Sequence, residues 1–451
     1  MNIIIVGCGK VGITLATQLG EDGNNITMID LSSEKIKSIT SRFDVMGVVG
    51  NGATHTTQKE AGIKKADLLI AVTDSDELNL LCCMIAKKNS RCDVIAKLQN
   101  PEYSSESEYL RKELGLAMVI NPEMAAAEEI ARLMRFPSAT KIETFARGKV
   151  ELIKFRIPDS SIISGMSVKD VMRKLRPDIL MCTVERDDES FIVNGDFVLY
   201  GKDILSIIAS PKNASEFFKA IGYKSASIKD AIIVGADEVT HYLCNLIQRS
   251  GISIKVIDSN LDRCEHLGAR HPSITVINGD ETDRDLLEEE GINDTDAFLS
   301  LSESDEENVI LSLYAKSSGE KKIVTMINKP EYDHIVRNME LDTVIYPKDI
   351  TADMIARYVR AMKNTRGSNM ETMYNVIKGE VEASEFKISG NSKITGIPLC
   401  ELKFKNDVLV AAIMRDNKVI IPRGYDVIEP GDAVVIVSRH LGLRDITDVL
   451  R

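Results

Sequence analysis

The sequence predicts an α/β protein: two Rossmann-like doubly wound parallel sheets, each followed by a small α+β domain, in tandem. Three observations carry that reading. Short apolar runs alternate with amphipathic stretches over residues 1–140. A G-x-G-x-x-G turn follows the first of those runs. The same pattern then returns with a steady offset, 258 − 30 = 228 and 330 − 101 = 229.

The repeat fixes the domain plan. Ile4-Ile5-Val6-Gly7 recurs as Ile232-Ile233-Val234-Gly235, and Met28-Ile29-Asp30 as Val256-Ile257-Asp258. Ser75-Asp76-Glu77-Leu78-Asn79 recurs as Ser304-Asp305-Glu306-Glu307-Asn308, and Asn100-Pro101-Glu102-Tyr103 as Lys329-Pro330-Glu331-Tyr332. The tails repeat as well: Gly148-Lys149-Val150-Glu151 matches Gly379-Glu380-Val381-Glu382, and residues 195–203 match 424–432. The order is therefore A–B–A′–B′, with boundaries at 1–140, 141–222, 229–365 and 370–451. Residues 223–229 and 363–370 are the expected linkers.

Within A, strands are expected at 2–6, 25–30, 44–49, 67–72, 93–97 and 118–120. They are short apolar runs, as a parallel sheet covered on both faces requires. Interleaved helical stretches complete a doubly wound sheet. Domains B and B′ read as β-rich, with strands at 376–388, 408–414 and 433–437 and turn signals at Asp416-Asn417 and Pro430-Gly431. Helices are expected at 123–136 and 350–362, just after each Rossmann sheet. Their apolar faces use Met124, Ala127, Ile130 and Met134, and Ile350, Met354, Tyr358 and Met362. Such a face serves either its own domain or a neighbouring module.

Composition narrows the function. Apolar residues make up 44% and charged residues 27%, so each segment can bury a core. The formal net charge of −12 argues against a nucleic-acid partner, which usually demands a basic surface. Eight cysteines contain no C-x-x-C pair, which argues against a zinc site and fits a reducing cytosol. No apolar run approaches the roughly 20 residues needed to span a bilayer, and Met1 leads directly into the first strand with no signal peptide.

The chemistry-bearing motif is Gly7-Cys8-Gly9-Lys10-Val11-Gly12, which follows a strand and opens a helix. Gly7 permits the tight turn, Gly9 lets a pyrophosphate approach the backbone, and Gly12 lets the helix pack close to the sheet. The helix N-terminus offers N–H groups and partial positive charge to the phosphates. Asp30 closes the second strand and can accept hydrogen bonds from ribose hydroxyls. It would repel a 2′-phosphate, so NAD(H) or an adenosine nucleotide is favoured over NADP(H). Thr73 and Asp74 end the fourth strand, either lining the ligand or, with Ser75, capping the next helix. Asn51 and Gly52 follow the third strand and are similar candidates. Lys97 ends the fifth strand, placed to meet adenine or phosphate, or else solvated.

The second half departs from this pattern. Its turn reads Gly235-Ala236-Asp237-Glu238-Val239-Thr240, with two glycines lost and two carboxylates where a phosphate would sit. It is expected to be a structural copy with weak or no nucleotide binding. No catalytic constellation emerges in either half. The Y-x-x-x-K spacing at Tyr374–Lys378 lies in a strand of B′, His55 reads as a surface or packing residue, and Asp187-Asp188-Glu189 reads as a solvated turn. An NAD-dependent oxidoreductase needs an acid or base near the nicotinamide that these residues do not provide.

The glycine turn with Asp30, the run Val72-Thr73-Asp74-Ser75-Asp76-Glu77-Leu78-Asn79, then Asn100-Pro101-Glu102-Tyr103 and Asn121-Pro122 resemble an RCK (regulator of K⁺ conductance) module. Domains B and B′ resemble its small C-terminal domain. Two such units in one chain resemble the tandem-RCK regulatory subunits of Trk-type potassium-uptake systems. The resemblance implies a cytoplasmic, peripheral protein on the inner face of the membrane, docked on a TrkH/TrkG-like potassium-translocating protein. It implies a homo-oligomeric ring, dimer or tetramer. It also implies NAD(H), or ATP or ADP, bound in the first cleft by Gly7 to Gly12, Asp30, Thr73 and Asp74. A nucleotide-sensing scaffold of another cation transporter is the nearest alternative.

Overall fold

The computed structural model describes the chain except residues 188, 224–227, 249, 320, 330–335, 337–338, 340, 342, 365–369, 378, 389, 391, 417, 441 and 444. The first domain runs β1 (Asn2–Val6), α1 (Lys10–Glu21), β2 (Asn25–Asp30), α2 (Ser33–Arg42), β3 (Met46–Val49), α3 (His55–Glu60), β4 (Leu68–Ala71), α4 (Asp76–Asn89), β5 (Asp93–Lys97), α5 (Pro101–Ser105), α6 (Ser107–Glu113), β6 (Met118–Ile120) and α7 (Pro122–Arg135). Its strands pair in parallel in the order β3-β2-β1-β4-β5-β6. The apolar runs explain the sheet: every residue of β4 is fully buried, and Ile3 to Val6 of β1 nearly so. Helices cover both faces, so no strand needs a polar side. The order reverses at β1, which puts a crevice between the ends of β1 and β4.

A small antiparallel domain follows: β7 (Ala139–Phe145), β8 (Val150–Arg156), α8 (Val168–Leu175), β9 (Leu180–Arg186), β10 (Glu189–Ile192), β11 (Ile204–Ala209) and α9 (Pro211–Ala220), in sheet order β10-β9-β11-β8-β7. The second Rossmann domain runs β12 (Asp230–Val234), α10 (Glu238–Ile247), β13 (Ser253–Asp258), α11 (Leu261–Arg270), β14 (Thr275–Asn278), α12 (Arg284–Glu289), β15 (Ala297–Ser300), α13 (Asp305–Ser317), β16 (Lys322–Met326), β17 (Val344–Ile345) and α14 (Pro347–Asn364). Its order, β14-β13-β12-β15-β16-β17, repeats the first sheet strand for strand. The last domain pairs β18 (Met370–Ile377), β19 (Val381–Lys387), β20 (Val408–Arg415), β21 (Lys418–Ile420) and β22 (Ala433–Ser438) as β18-β19-β22-β20-β21.

The chain divides into two compact units that gather like with like. Met1–Ile130 with Ala231–Ala356 form one, and Ala131–Asp230 with Arg357–Arg451 the other. In the Rossmann unit the two halves touch through the helices that follow each sheet. The Asn121 amide, at the start of α7, donates to the Tyr242 hydroxyl of α10 at 3.0 Å. The Gln18 amide of α1 donates to Asp353 of α14 at 3.1 Å.

In the other unit, Phe145, Leu152, Cys182 and Ile208 share one core with Val376, Val381, Ala411 and Val435. The Tyr374 hydroxyl donates to the Thr144 carbonyl at 2.7 Å, and its ring packs edge-on against Phe145. Each small domain also ties its turn with the same clamp. Arg186 forks onto Asp203 and the Val198 carbonyl, and Arg415 onto Asp432 and the Val427 carbonyl, with 415 − 186 = 229 and 432 − 203 = 229.

Two expectations need correction. The strand expected at 376–388 is two strands of a hairpin, broken where Gly379 takes φ +75°. A glycine there supplies the left-handed conformation that the turn demands. The buried stripe of α14 is Ala352, Ile355, Ala356 and Val359 rather than the Ile350–Met362 set, whose members are half-buried at its edges. Tyr374 is committed to the core, so it is no catalytic tyrosine; Lys378 lies outside the described residues. So do Pro330, Glu331 and Tyr332 of the second N-P-E-Y copy, Asp188, Asn417 and most of both expected linkers. Among the described residues, no helix is long and apolar enough to cross a membrane.

Candidate nucleotide-binding site

Gly7, Gly9 and Gly12 turn out to be glycines for three different reasons. Gly7 has φ +107°, and a Cβ would stand 2.9 Å from the Val72 carbonyl oxygen. At Gly12 a Cβ would lie 2.0 Å from the Gly7 carbonyl oxygen, so α1 packs on the turn only without a side chain. Gly9 is the exception. Its backbone is extended (φ −74°, ψ −178°), open to any residue, and a Cβ there meets nothing within 4 Å. Neither conformation nor packing requires glycine at this position. The space that a Cβ would fill lies at the N-terminus of α1, which no side chain caps and whose first turn holds no acid. That is the geometry a phosphate group needs.

Around this cradle stand the other expected residues. Lys10 is exposed at the first position of α1, and Val11 is buried. Cys8 is buried; burial, then the neighbouring Asp30 charge, pushes its thiol up to about 12, so it is no nucleophile. Asp30 accepts from the Cys8 N–H at 2.7 Å and from the Ser32 N–H at 2.8 Å. Each carboxylate oxygen keeps a lone pair for a ribose hydroxyl. Asn51 is exposed and accepts from the Ala53 N–H at 2.9 Å, holding the loop after β3. Gly52 has a packing reason of its own, since a Cβ would stand 2.3 Å from Val6 Cγ1.

Thr73 and Asp74 lie just past the end of β4, with Ser75 and not Asp74 as the cap of α4. Thr73 is half-buried and donates its hydroxyl to Asn79 at 2.7 Å. Lys97 corrects the solvated reading: it is 5% exposed, with Nζ 4.0 Å from the exposed carboxylate of Asp74. The ends of β1 to β5 thus bring all twelve residues to one edge of the sheet. His55 is exposed at the start of α3.

Two buried pins went unassigned in the sequence. Asn79, fully buried, accepts from the Thr73 N–H and donates to the carbonyls of Thr73 and Lys97. Asp76 accepts from the N–H groups of Gln99 and Asn100. Together they lock the end of β4 to the end of β5. The signal was the recurrence of both residues as Asp305 and Asn308, which make the matching bonds to Asn328, Lys329, Ser302 and Met326.

The second half keeps the frame and fills the cradle. Gly235 has φ +102°, and Asp258 accepts from Ala236 and Asn260 as Asp30 does from Cys8 and Ser32. At the place of Gly9 stands Asp237, whose carboxylate accepts from the N–H groups of Val239 and Thr240. At the place of Gly12, Thr240 donates its hydroxyl to the Gly235 carbonyl at 2.6 Å. Arg263 pairs with Glu303 at 3.1 Å, and its charge acts on Asp237. The helix N-terminus is satisfied by the protein's own side chain.

The chemistry on offer is recognition. One cradle provides N–H donors, a glycine-lined approach and a ribose acceptor. Among the described residues, no group of three or more histidines, cysteines or carboxylates is arranged to hold a metal.

Fold and site define a tandem Rossmann protein in which the first glycine turn is open and the second is self-capped. Comparison with known proteins gives the family. The TrkA-N domain model matches residues 3–122 and 231–347, and the TrkA-C domain model 152–222 and 383–450. A Trk system potassium uptake protein TrkA homolog of Methanosarcina mazei is 31% identical over 97% of both chains. One of Archaeoglobus fulgidus is 30% identical over 100% of both. The chain belongs to the TrkA family of potassium-uptake proteins, which are regulatory and not enzymes. A solved structure of the GsuK channel bound to NAD has the same fold, with TM-score 0.64 at 15% identity over 97% of this chain and 76% of that one.

Proposed function

We propose that the chain is the peripheral cytoplasmic subunit of a Trk-type potassium-uptake system. It binds one NAD(H), or ATP or ADP, in the cleft formed by Gly7 to Gly12, Asp30, Asn51, Gly52, Thr73, Asp74 and Lys97. Ligand exchange shifts the arrangement of a homo-oligomeric ring, dimer or tetramer, and that shift gates a TrkH/TrkG-like membrane protein. The domains act as units at 1–140, 141–222, 229–365 and 370–451. The observation that carries the reading is the pair Gly9 and Asp237: neither conformation nor packing demands glycine at the first position, and its twin sets a carboxyl group on the N–H groups of its helix end. The relatives' names support potassium uptake, and the GsuK structures with NAD and with ADP support the ligand class.

The test is calorimetric titration of NADH, NAD⁺, ATP and ADP into the purified chain. Saturable binding near one site per chain, with no turnover, is expected. Two sites per chain refute the self-capped second cleft, and no binding refutes the nucleotide mechanism. Co-purification with a potassium-translocating membrane protein tests the partner.

A further inference from the structure

Strand register lays the residues of the first cleft out in a row. Val6 pairs with Ile29 on one side and Ala71 on the other, and Ala71 pairs with Ala96. One residue further along each strand, the row reads Asp30, Gly7, Val72 and Lys97. Asp30 is one strand from the glycine turn. Lys97 is two strands away in the opposite direction, about 10 Å at the usual spacing of strands. A nucleotide whose ribose meets Asp30 and whose first phosphates meet Gly9 therefore points its far end toward Lys97.

Lys97 is costly to bury here. Its side chain is 7% exposed, and the carboxylate of Asp74, 4.0 Å from Nζ, stands wholly in solvent. Among the described residues the ammonium group makes no hydrogen bond. A buried charge without hydrogen bonds destabilises the fold unless something else compensates it. The Lys97 charge also acts on Glu123 at the start of α7, so the ammonium group lies at the C-terminal edge of the sheet, between the ends of β4 and β6.

The second half shows that the fold does not ask for this lysine. Asn79 donates to the Lys97 carbonyl as Asn308 donates to that of Met326, which makes Met326 the counterpart, 326 − 97 = 229. Met326 is 3% exposed. A methionine fills the slot beside the capped turn, and a lysine fills it beside the open one.

We infer that Lys97 reads the charge of the ligand's far end, and so favours ATP over ADP and NADH over NAD⁺. This rests on the nucleotide reading of the first cleft. The third phosphate of ATP brings an anion to an ammonium group that has no hydrogen-bond acceptor, and ADP stops short of it. The oxidised nicotinamide ring is a cation and is repelled, whereas the reduced ring is neutral. Three carboxylates surround Lys97. Asp76 accepts from the N–H groups of Gln99 and Asn100, Glu123 accepts from the Gln99 amide, and Asp74 is in solvent. Without Lys97 these acids alone would meet the far end, and both preferences would vanish or reverse.

The experiment titrates ADP, ATP, NAD⁺ and NADH into the full chain by calorimetry, with EDTA to keep the phosphates free of metal. Wild type is compared with Lys97→Met, Lys97→Gln and Lys97→Arg, with thermal melting of each. Wild type binds ATP about tenfold more tightly than ADP, and NADH about tenfold more tightly than NAD⁺, as one charge-assisted contact provides. Both ratios fall to one or below in Lys97→Met and Lys97→Gln and persist in Lys97→Arg. Added salt narrows the wild-type ratios. Lys97→Met melts no lower than wild type, because methionine already serves at the matching place in the second half. A wild type without these preferences, or ratios unchanged in both neutral variants, overturns the inference and leaves the nucleotide reading intact. A lowered melting temperature with equal weakening of all four ligands also overturns it, because that marks a structural role. A wild type that binds none of the four brings down the nucleotide reading itself.

Discussion

Transplanting the second half's device into the first gives the sharpest test of what Gly9 is for. In Gly9→Asp the fold has every reason to survive: the backbone there is extended, and a Cβ meets nothing within 4 Å. The new carboxylate reaches the N–H groups at the start of α1, as Asp237 does at α10. Capping and the favourable dipole interaction add about 0.5–1 kcal/mol of stability. Against a ligand the same group is severe. A carboxylate about 4 Å from a phosphate charge, at an effective dielectric near 20, costs about 4 kcal/mol, on the order of a thousandfold in affinity. Titration calorimetry with NADH, paired with thermal melting, reads both effects. The expected result is an undiminished or higher melting temperature with binding lost. Binding of NADH at wild-type affinity in Gly9→Asp would refute the claim that phosphates sit at this helix end. So would a marked fall in melting temperature, because then Gly9 would be needed for the fold after all.

Two further predictions follow from the pins and from the second cleft. Asn79→Ala leaves the Thr73 N–H and the Lys97 carbonyl without their buried partner, and should cost about 2–4 kcal/mol. Denaturant unfolding measures it, and Asn308→Ala should cost as much while sparing NADH affinity, which Asn79→Ala lowers by loosening the end of β4. The Asp237 carboxyl is raised from 3.8 to about 7, first by burial, with the Glu123 charge adding to it and the N–H bonds and Arg263 opposing. An acid raised on folding holds its proton in the folded state where the unfolded chain has released it, so its contribution is full at low pH and is lost as pH rises from about 4 to about 7. Asp237→Asn keeps a cap and removes the titration. Melting temperature against pH should therefore fall more steeply through that window in wild type than in the variant, and parallel curves would contradict the shift.

How far the sequence carried the site depended on whether each constraint was local. Gly7 and Gly12 are set by a turn and a helix contact within a few residues, and the motif reads them directly. Asp30 is less telling than it looked: Asp258 makes the same two backbone bonds beside a helix end that Asp237 caps, so part of the acid's job belongs to the fold. Lys97 misled because a charge suggests solvent, whereas the end of a central strand buries its stem whatever the tip carries. Asp76 and Asn79 were visible as a recurring run, yet their partners sit across the sheet on β5. The gathering of the two Rossmann domains into one unit was beyond reach. The chain order A–B–A′–B′ fixes neighbours in sequence, and contacts such as Gln18 with Asp353 cross more than three hundred residues.

The asymmetry between the halves has a thermodynamic consequence. A ligand moves an equilibrium only by its differential affinity for the two arrangements. On the proposed reading, a second cleft capped by Asp237 has no ligand to exchange and acts as a fixed reference for the first half. One nucleotide per chain then supplies the whole differential. At a hundred times its dissociation constant a ligand specific to one state contributes about 2.7 kcal/mol, whereas reversing a 1:99 equilibrium takes about 5.5 kcal/mol. A single chain falls short of a clean switch, and two chains moving together reach it. On this reading the self-capped half makes assembly of at least two chains a requirement of the mechanism. A monomeric chain should still bind nucleotide, yet it should show only a graded response.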